Sequence, residues 1–534
     1  MFKNSWQPFF KVKKQIIMKN HSLFLVLFLF VILSCASKRK VEADLTIKNG
    51  MVYSGFDTIP KIVTIAINGD KIIFIGNEKL VRLKSDKIID ANGLIVCPGF
   101  IDPHTHADKD LIKSSTSHNL PFLMQGVTTV MVGNDGESYF PTIKYKDVFE
   151  KNGLGTNVVL LAGHGTLRQE VIGNSKIKAT PEQVNAMQGL LQKELDAGAF
   201  GLSTGLFYSP GSYADTQEVI DLAKVVAKNG GIYDTHLRDE SSYSIGLILS
   251  IQEAIEIGRQ AKLPIHISHI KCLGVDVWNE SDAIIKLIEK SRLEGIDVTA
   301  NQYPYDASAT GLKASVVPRW AESGGNDSLF VRYKNPLLKI KILQETKENI
   351  ARRGGPEKLL IVKSEVDSYD GKNVAEIASI LQLSPEETVF KILEKGYARV
   401  ASFNMNEKDI LNFMKQPWVV TGSDGNEGHP RKYGSFPKKY NKYVKEDSII
   451  SVAKFINGSS SETASIFKIP NRGKIKEGYF ADIIIFDPKT FKDKANYTDA
   501  THYAEGLKYS IINGVLVIDN GKYNKNRPGK VLIK

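Results

Sequence analysis

Three cysteines in 534 residues, at positions 35, 97 and 272, are too few to staple a fold, so no disulfide framework is expected. The longest unbroken apolar run, Leu23 to Leu33, holds eleven residues and falls short of the roughly 18 that a membrane-crossing helix needs. Internal repeats and low-complexity tracts are missing, which excludes a solenoid or a disordered scaffold. A basic surface is missing as well. The net charge is +11, but residues 1–40 carry eight Lys or Arg and no acid, leaving only +3 on the other 494 residues. That distribution removes the case for a nucleic-acid partner. What remains, with 42% hydrophobic and 24% charged residues, is a globular chain long enough for a large barrel plus an accessory domain.

The basic N-terminus belongs to a targeting segment. Lys11, Lys13, Lys14 and Lys19 precede the Leu23–Leu33 run, and Ser34-Cys35 follows it. This is the layout of a bacterial secretory signal, and Ile32-Leu33-Ser34-Cys35 resembles a lipobox. The expectation is a lipoprotein signal peptide over 1–35. Cys35 would carry the lipid anchor and hold an exported protein on a bacterial membrane, at its periplasmic side or the cell surface. Residues 18–35 alone form a complete signal, which makes Met18 an alternative start.

From Asp44 to Val96 short apolar strands alternate with Asn49-Gly50 and Asn68-Gly69-Asp70, which is hairpin chemistry. Ala481–Phe486, Tyr509–Ile512 and Val515–Ile518 repeat that character at the far end, around Asn513-Gly514. Both ends should therefore build one small β-sandwich, from about 36–98 and 471–534. The middle alternates apolar strands with amphipathic segments, the pattern of βαβ units. A strand within Ala91–Ile101 and seven more, near 128–132, 158–162, 201–203, 232–235, 265–268, 296–300 and 419–421, predict an α/β (β/α)8 barrel over 99–470. Leu190–Ala197 and Leu247–Gln260 read as outer helices, and about 312–410 as a helical insertion over the barrel mouth.

The chemistry is written at the C-terminal ends of those strands, where such barrels keep their active sites. His104 and His106 follow the first, Gly133-Asn134-Asp135-Gly136 the second, His236 the fifth, His269 the sixth and Ser423-Asp424 the eighth. Side chains at i and i+2 of a strand point to the same side, so His104 and His106 should face one point together. Imidazole nitrogens and carboxylates suit Zn2+ or another divalent ion, one or two of them, which acidifies a water into a nucleophile. Asp424 is then the candidate general base and acid. His164, Arg238, Asp239 and Glu240 read as supporting residues, His266 as structural and Cys272 as a small packed side chain.

The Pro98-Gly99-Phe100-Ile101-Asp102-Pro103-His104-Thr105-His106 run and the late Ser423-Asp424 resemble the amidohydrolase superfamily. Gly163-His164-Gly165-Thr166, His236-Leu237-Arg238-Asp239-Glu240, Ser268-His269-Ile270-Lys271, Tyr303-Pro304-Tyr305 and His429-Pro430-Arg431 are similar to its D-aminoacylase, or N-acyl-D-amino-acid deacylase, branch. The resemblance runs from about Asp44 to the C-terminus. It implies hydrolysis of an N-acyl-D-amino acid to a carboxylate and a D-amino acid. Its metal residues fall on His104, His106, His236, His269 and Asp424, and its substrate-carboxylate residues on Lys271, Tyr303 and Arg431. Two positions depart from the pattern. Asp135 stands where these enzymes usually carry a metal-binding cysteine, and Ala309 where a serine commonly precedes Thr310. Other readings are a D-dipeptidase or cyclic-amide hydrolase, which often use a carboxylated lysine that has no counterpart here, and a lipoprotein that binds D-peptides without turnover.

Overall fold

A computed structural model describes residues 38–534, so the export segment and Cys35 lie outside the described residues. Among those described, no helix is long and apolar enough to cross a membrane. Eight parallel strands close a barrel: β1 Phe100–Asp102, β2 Val127–Val132, β3 Asn157–Leu160 continued by Ala162–Gly163, β4 Gly201–Gly205, β5 Ile232–His236, β6 Ile265–Ile267, β7 Val298–Gln302 and β8 Val419–Thr421. Nearly every residue of these strands is buried. A strand covered on both faces has no solvent side to keep polar, so these runs do not show the period-two alternation of a half-exposed strand.

Hydrogen-bonded pairing runs β1-β2-β3 and then β4 through β8. Phe200 N donates to Leu160 O at 2.8 Å between β3 and β4, and a parallel bridge from Thr105 to Gly425 closes β8 onto β1. Helices Pro181–Asp196, Thr216–Lys228, Leu247–Ala261 and Ser281–Leu293 cover the outside. The first starts on a capping box between Thr180 and Gln183, and Asp215 caps the second through the N–H of Glu218 at 2.9 Å. Both caps satisfy N–H groups that a helix start leaves free.

Strands from both chain ends share one sheet, a second sheet holds N-terminal strands alone, and both sheets are mixed, with parallel pairs beside the hairpins. One sheet has the order Lys71–Gly76, Thr64–Asn68, Lys40–Lys48, Arg82–Asp90, and its last pair is parallel. The other has seven strands, in which Ile95–Pro98 lies between Ile483–Phe486 and Met51–Val52. The single strand expected within Ala91–Ile101 is thus two, shared between domains. The break falls at Gly99, whose N–H donates to Asp482 O at 2.9 Å and where a Cβ would stand 2.2 Å from Thr128 Oγ1. Only glycine lets the chain pass from one sheet to the other there.

The segment between β7 and β8 is not purely helical. Alongside helices such as Pro336–Arg352 and Pro385–Leu393 it carries a three-stranded antiparallel sheet, Ala307–Gly311, Ala398–Phe403 and Leu359–Ser364, with Ala398–Phe403 in the middle. It has its own apolar core, including Leu312, Val316, Ile361, Phe390 and Val400.

Candidate active site

The first two histidines do not ride on a strand, because β1 stops at Asp102 and they lie in the turn beyond it. Their convergence comes from the residue between them. Thr105 Oγ1 donates to Met131 O at 2.6 Å, and the Asp102 carboxylate accepts from His104 N at 3.2 Å and Ser423 N at 3.0 Å. The ends of β1, β2 and β8 are thereby locked together. Burial pushes the Asp102 carboxyl up to about 7.

Asp135 follows β2 at φ 55°, His269 follows β6 at φ 35° and Asp424 follows β8 at φ 49°. Left-handed backbone at three non-glycine residues is uncommon and clusters at functional sites. Here each such turn swings a ligand-type side chain inward. Asp135 Oδ1 lies 3.3 Å from His104 Nε2, 3.5 Å from His236 Nδ1 and 3.4 Å from His269 Nε2, while Oδ2 lies 3.4 Å from His106 Nε2. Asp424 Oδ1 is 3.3 Å from His106 Nε2 and 3.8 Å from His104 Nε2. Two overlapping clusters result: His104, His106, Asp135 and Asp424, and Asp135, His236 and His269.

These separations decide between a hydrogen-bond network and a cation site. Ligands held about 2.0–2.1 Å from a tetrahedral ion stand about 3.3–3.4 Å from one another, and a normal hydrogen bond is shorter. The distances from Asp135 match the former. Both ring nitrogens of His104 and Asp135 Oδ1 are buried with no hydrogen-bond partner, which is costly unless something else occupies them. Charge agrees with geometry. Burial opposes ionisation of Asp135, yet His104 and the neighbouring imidazoles hold its carboxyl well below the usual range. Burial also pushes His104 down to about 4, keeping it neutral. His106 goes the other way, to about 9, because Asp135 and Asp424 outweigh its desolvation. The donor set fits one or two divalent ions.

Glu240, read from the sequence only as support, is tied to both histidines of the second cluster. Its carboxylate lies 3.1 Å from His269 Nδ1, 3.6 Å from His236 Nε2 and 2.6 Å from Lys271 Nζ. The hydrogen bond at His269 Nδ1 is with Lys271 Nζ, at 2.8 Å, and the same ammonium donates to His269 O at 2.9 Å, so Glu240 acts on His269 partly through Lys271. Arg238 instead makes a bidentate pair with Glu253, and Asp239 accepts from the N–H groups of Ser241, Ser244 and Gly246 to shape its own loop. His164 bonds Glu218 at 2.8 Å, and His266 sits between Thr299 and Asn301, both away from the clusters. Cys272 is buried.

A cavity of about 460 Å³ opens over the clusters and reaches the insertion. Lys271, Tyr303 and Ala309 line it; Arg431 does not. The Tyr303 hydroxyl is buried and unpartnered. Arg431 packs its guanidinium 4.8 Å from the Tyr303 ring, donates to Ala309 O at 3.2 Å and sits 2.9 Å from Asp424 Oδ2. Burial opposes the charge on Asp424, but Arg431 and the histidines hold its carboxyl far below the ordinary range. Tyr208, which the sequence reading passed over, also lines the cavity, with its ring 4.7 Å from that of His236. Its signal was its position just past β4.

Comparison with known proteins agrees with this geometry. A family model described as "Amidohydrolase family" matches residues 87–310. The chain is 29% identical over 518 residues to a D-aminoacylase of Alcaligenes xylosoxydans xylosoxydans, covering 92% of this chain and 98% of that one. It is 28% identical over 522 residues to an N-acyl-D-glutamate deacylase of the same organism, covering 92% and 96%. It is also similar to the solved N-acyl-D-glutamate deacylase of Bordetella bronchiseptica, complexed with zinc and a phosphonate that mimics the tetrahedral intermediate. There the TM-score is 0.80 and the identity 26%, over 92% of this chain and all of that one.

Proposed function

We propose that the chain is a member of the D-aminoacylase branch of the amidohydrolase family and hydrolyses the linear amide of an N-acyl-D-amino acid to a carboxylate and a D-amino acid, a reading supported by its similarity to that family and to two such deacylases. The observation that carries this reading is the convergence of His104, His106, Asp135, His236, His269 and Asp424 beside a cavity that also holds Lys271 and Tyr303. His236, His269 and Asp135 would hold one divalent ion, zinc by the donor set, and His104, His106, Asp135 and Asp424 a second, weaker one. When bound, the ion acidifies a water and polarises the amide carbonyl.

The remaining steps belong to the protein. Asp424 turns Oδ1 toward His104 and His106, and takes the proton of the attacking water there. Arg431 fixes Oδ2 and keeps the carboxylate anionic. The proton then passes to the leaving nitrogen, which makes one residue base and acid in turn. Tyr303 offers its free hydroxyl to the substrate α-carboxylate, and Lys271, whose ammonium lines the cavity while contacting Glu240 and His269, adds its charge. Arg431 packs against the Tyr303 ring and supports it. Asp135 belongs to both clusters and takes the bridging place that a carboxylated lysine often fills in cyclic-amide hydrolases, which favours a linear over a cyclic amide. Assay of the zinc-reconstituted protein against paired N-acetyl-D- and N-acetyl-L-amino acids tests the reading. Release of free amine from D substrates alone is expected, and equal rates on both enantiomers would overturn it.

The membrane anchor at Cys35 is a second proposal and rests on the lipobox-like sequence alone. Cys35→Ala should leave the precursor unprocessed or release it from membranes with its activity intact. Wild-type protein carrying no acyl chain by mass spectrometry would remove the claim.

A further inference from the structure

The far end of the cavity holds a cation that the reaction above does not use. Arg399, in the middle strand of the insertion sheet, is 7% exposed and lines the cavity. Its one hydrogen bond runs from Nη1 to the Tyr397 hydroxyl at 3.2 Å, and Nε is buried with no partner. Among the described residues it has no ion-pair partner. Two neighbouring cations differ in this respect. Arg353 Nε is taken by Tyr243 Oη at 2.6 Å and Ser315 O at 3.0 Å, and Lys313 by Asn326 at 2.7 Å with Glu322 at 3.7 Å. Opposite Arg399 in the sheet stands Gly311, which adds no side chain there, and the Tyr397 ring lies 3.5 Å from where its Cβ would be.

A buried guanidinium with open donors is costly unless an anion meets it, and its planar fork matches a carboxylate. Of the acids that line the cavity, Asp135, Glu240 and Asp424 are committed to histidines, Lys271 or Arg431, and Glu137 makes no ion pair with Arg399 among the described residues. With no acid of the described residues meeting Arg399, an anion for it would come with the ligand. Resting on the deacylase reading, we propose that Arg399 binds a second carboxylate of the substrate. The preferred N-acyl-D-amino acid is then a dianion, with one carboxylate at Lys271 and Tyr303 and the other at Arg399. The second carboxylate belongs either to an acidic side chain or to the acyl group.

The experiment compares zinc-loaded wild type, Arg399→Met and Arg399→Lys on N-acetyl-D-glutamate, N-succinyl-D-leucine and N-acetyl-D-leucine, by kcat/KM, and titrates N-acetyl-D-glutamate and N-succinyl-D-leucine calorimetrically into each protein. One of the dianions should be preferred over N-acetyl-D-leucine by about tenfold or more in wild type. Arg399→Met should lower that dianion about ten- to a hundredfold, mainly through KM, and by more than it lowers N-acetyl-D-leucine, the usual worth of a charge-assisted hydrogen bond. Arg399→Lys should recover part of the loss, which a mere folding defect would not. Preference for N-acetyl-D-glutamate places the second carboxylate on the amino acid, and preference for N-succinyl-D-leucine places it on the acyl group. Equal losses on all three substrates, or a wild type that prefers N-acetyl-D-leucine, would overturn the proposal, as would dianion binding indifferent to Arg399. If none of the three is hydrolysed while calorimetry still shows Arg399-dependent dianion binding, the deacylase reading fails and the anion subsite stands.

Discussion

Asp424→Asn probes catalysis and packing together, because the same carboxylate faces the cavity with one oxygen and Arg431 with the other. Asparagine keeps the shape but is a poor base, so turnover should fall by about 10² to 10⁴, the usual worth of a positioned proton acceptor. Stability should fall too. Arg431 is 1% exposed and would retain only Ala309 O and the face of Tyr303. Removing one member of a buried pair typically costs about 3–5 kcal/mol, since the other charge is left uncompensated. That is a large part of an ordinary folding free energy of roughly 5–15 kcal/mol. Adding Arg431→Met to Asp424→Asn removes the stranded charge, so the double variant should regain much of the stability and none of the turnover. Amine release from an N-acetyl-D-amino acid, elemental analysis and urea unfolding on the same preparations separate these effects. Near-wild-type turnover by Asp424→Asn at unchanged metal content would refute the proton role. A double variant no more stable than the single one would refute the pairing argument.

His236→Ala should lose at least one ion by elemental analysis, and a full metal complement would count against its ligand role. Glu240→Gln keeps the size but weakens the hold on His269 and Lys271, so zinc affinity in chelator competition should drop about 10- to 100-fold; unchanged affinity would mean that Glu240 serves Lys271 alone. Lys439, buried with a hydrogen bond to Thr421 Oγ1 at 3.1 Å, is pushed down to about 7 by desolvation. The unfolded chain holds that proton to about 10.4, so it binds more protons than the folded state across this window, and wild-type stability gains as pH rises through it. Lys439→Met should therefore be the more stable protein at pH 7, with its advantage shrinking toward pH 10 in denaturant titrations. A pH-independent difference would show that the buried ammonium is not strained.

The barrel was legible because its strands are sealed on both faces and its ligands sit just beyond them. Val127–Val132 and Ile232–His236 are short buried strands rich in β-forming residues with ligand-type side chains at or just past their C-terminal ends, and neither needs a distant contact to be recognised. The insertion was harder. Leu359–Ser364 and Ala398–Phe403 form strands by pairing with each other and with Ala307–Gly311, across nearly a hundred residues of chain, and local periodicity does not carry that information. Arg399 was hidden for the same reason. The pairing of Arg431 with Asp424 depends on the turn that follows β8, whose left-handed residue no spacing rule anticipates.

Asp135 shows how a departure from a family pattern is resolved by geometry. A cysteine offers a single sulfur to whatever ions it serves. The aspartate offers two oxygens, and the structure turns them to different partners: Oδ1 to His104, His236 and His269, and Oδ2 to His106. The two histidine groups are therefore joined through one carboxylate, whose Oδ1 meets members of both and whose Oδ2 adds His106. Its left-handed φ of 55° is the conformation that aspartate tolerates better than most residues. The loop that brings it inward is crowded, since a Cβ on Gly205 would stand 2.0 Å from Asp135 O. A residue longer than aspartate would need a wider loop, and a shorter one would leave His106 with Asp424 alone. Asp135 thus puts an oxygen, a harder ligand than sulfur, at the centre of the cluster.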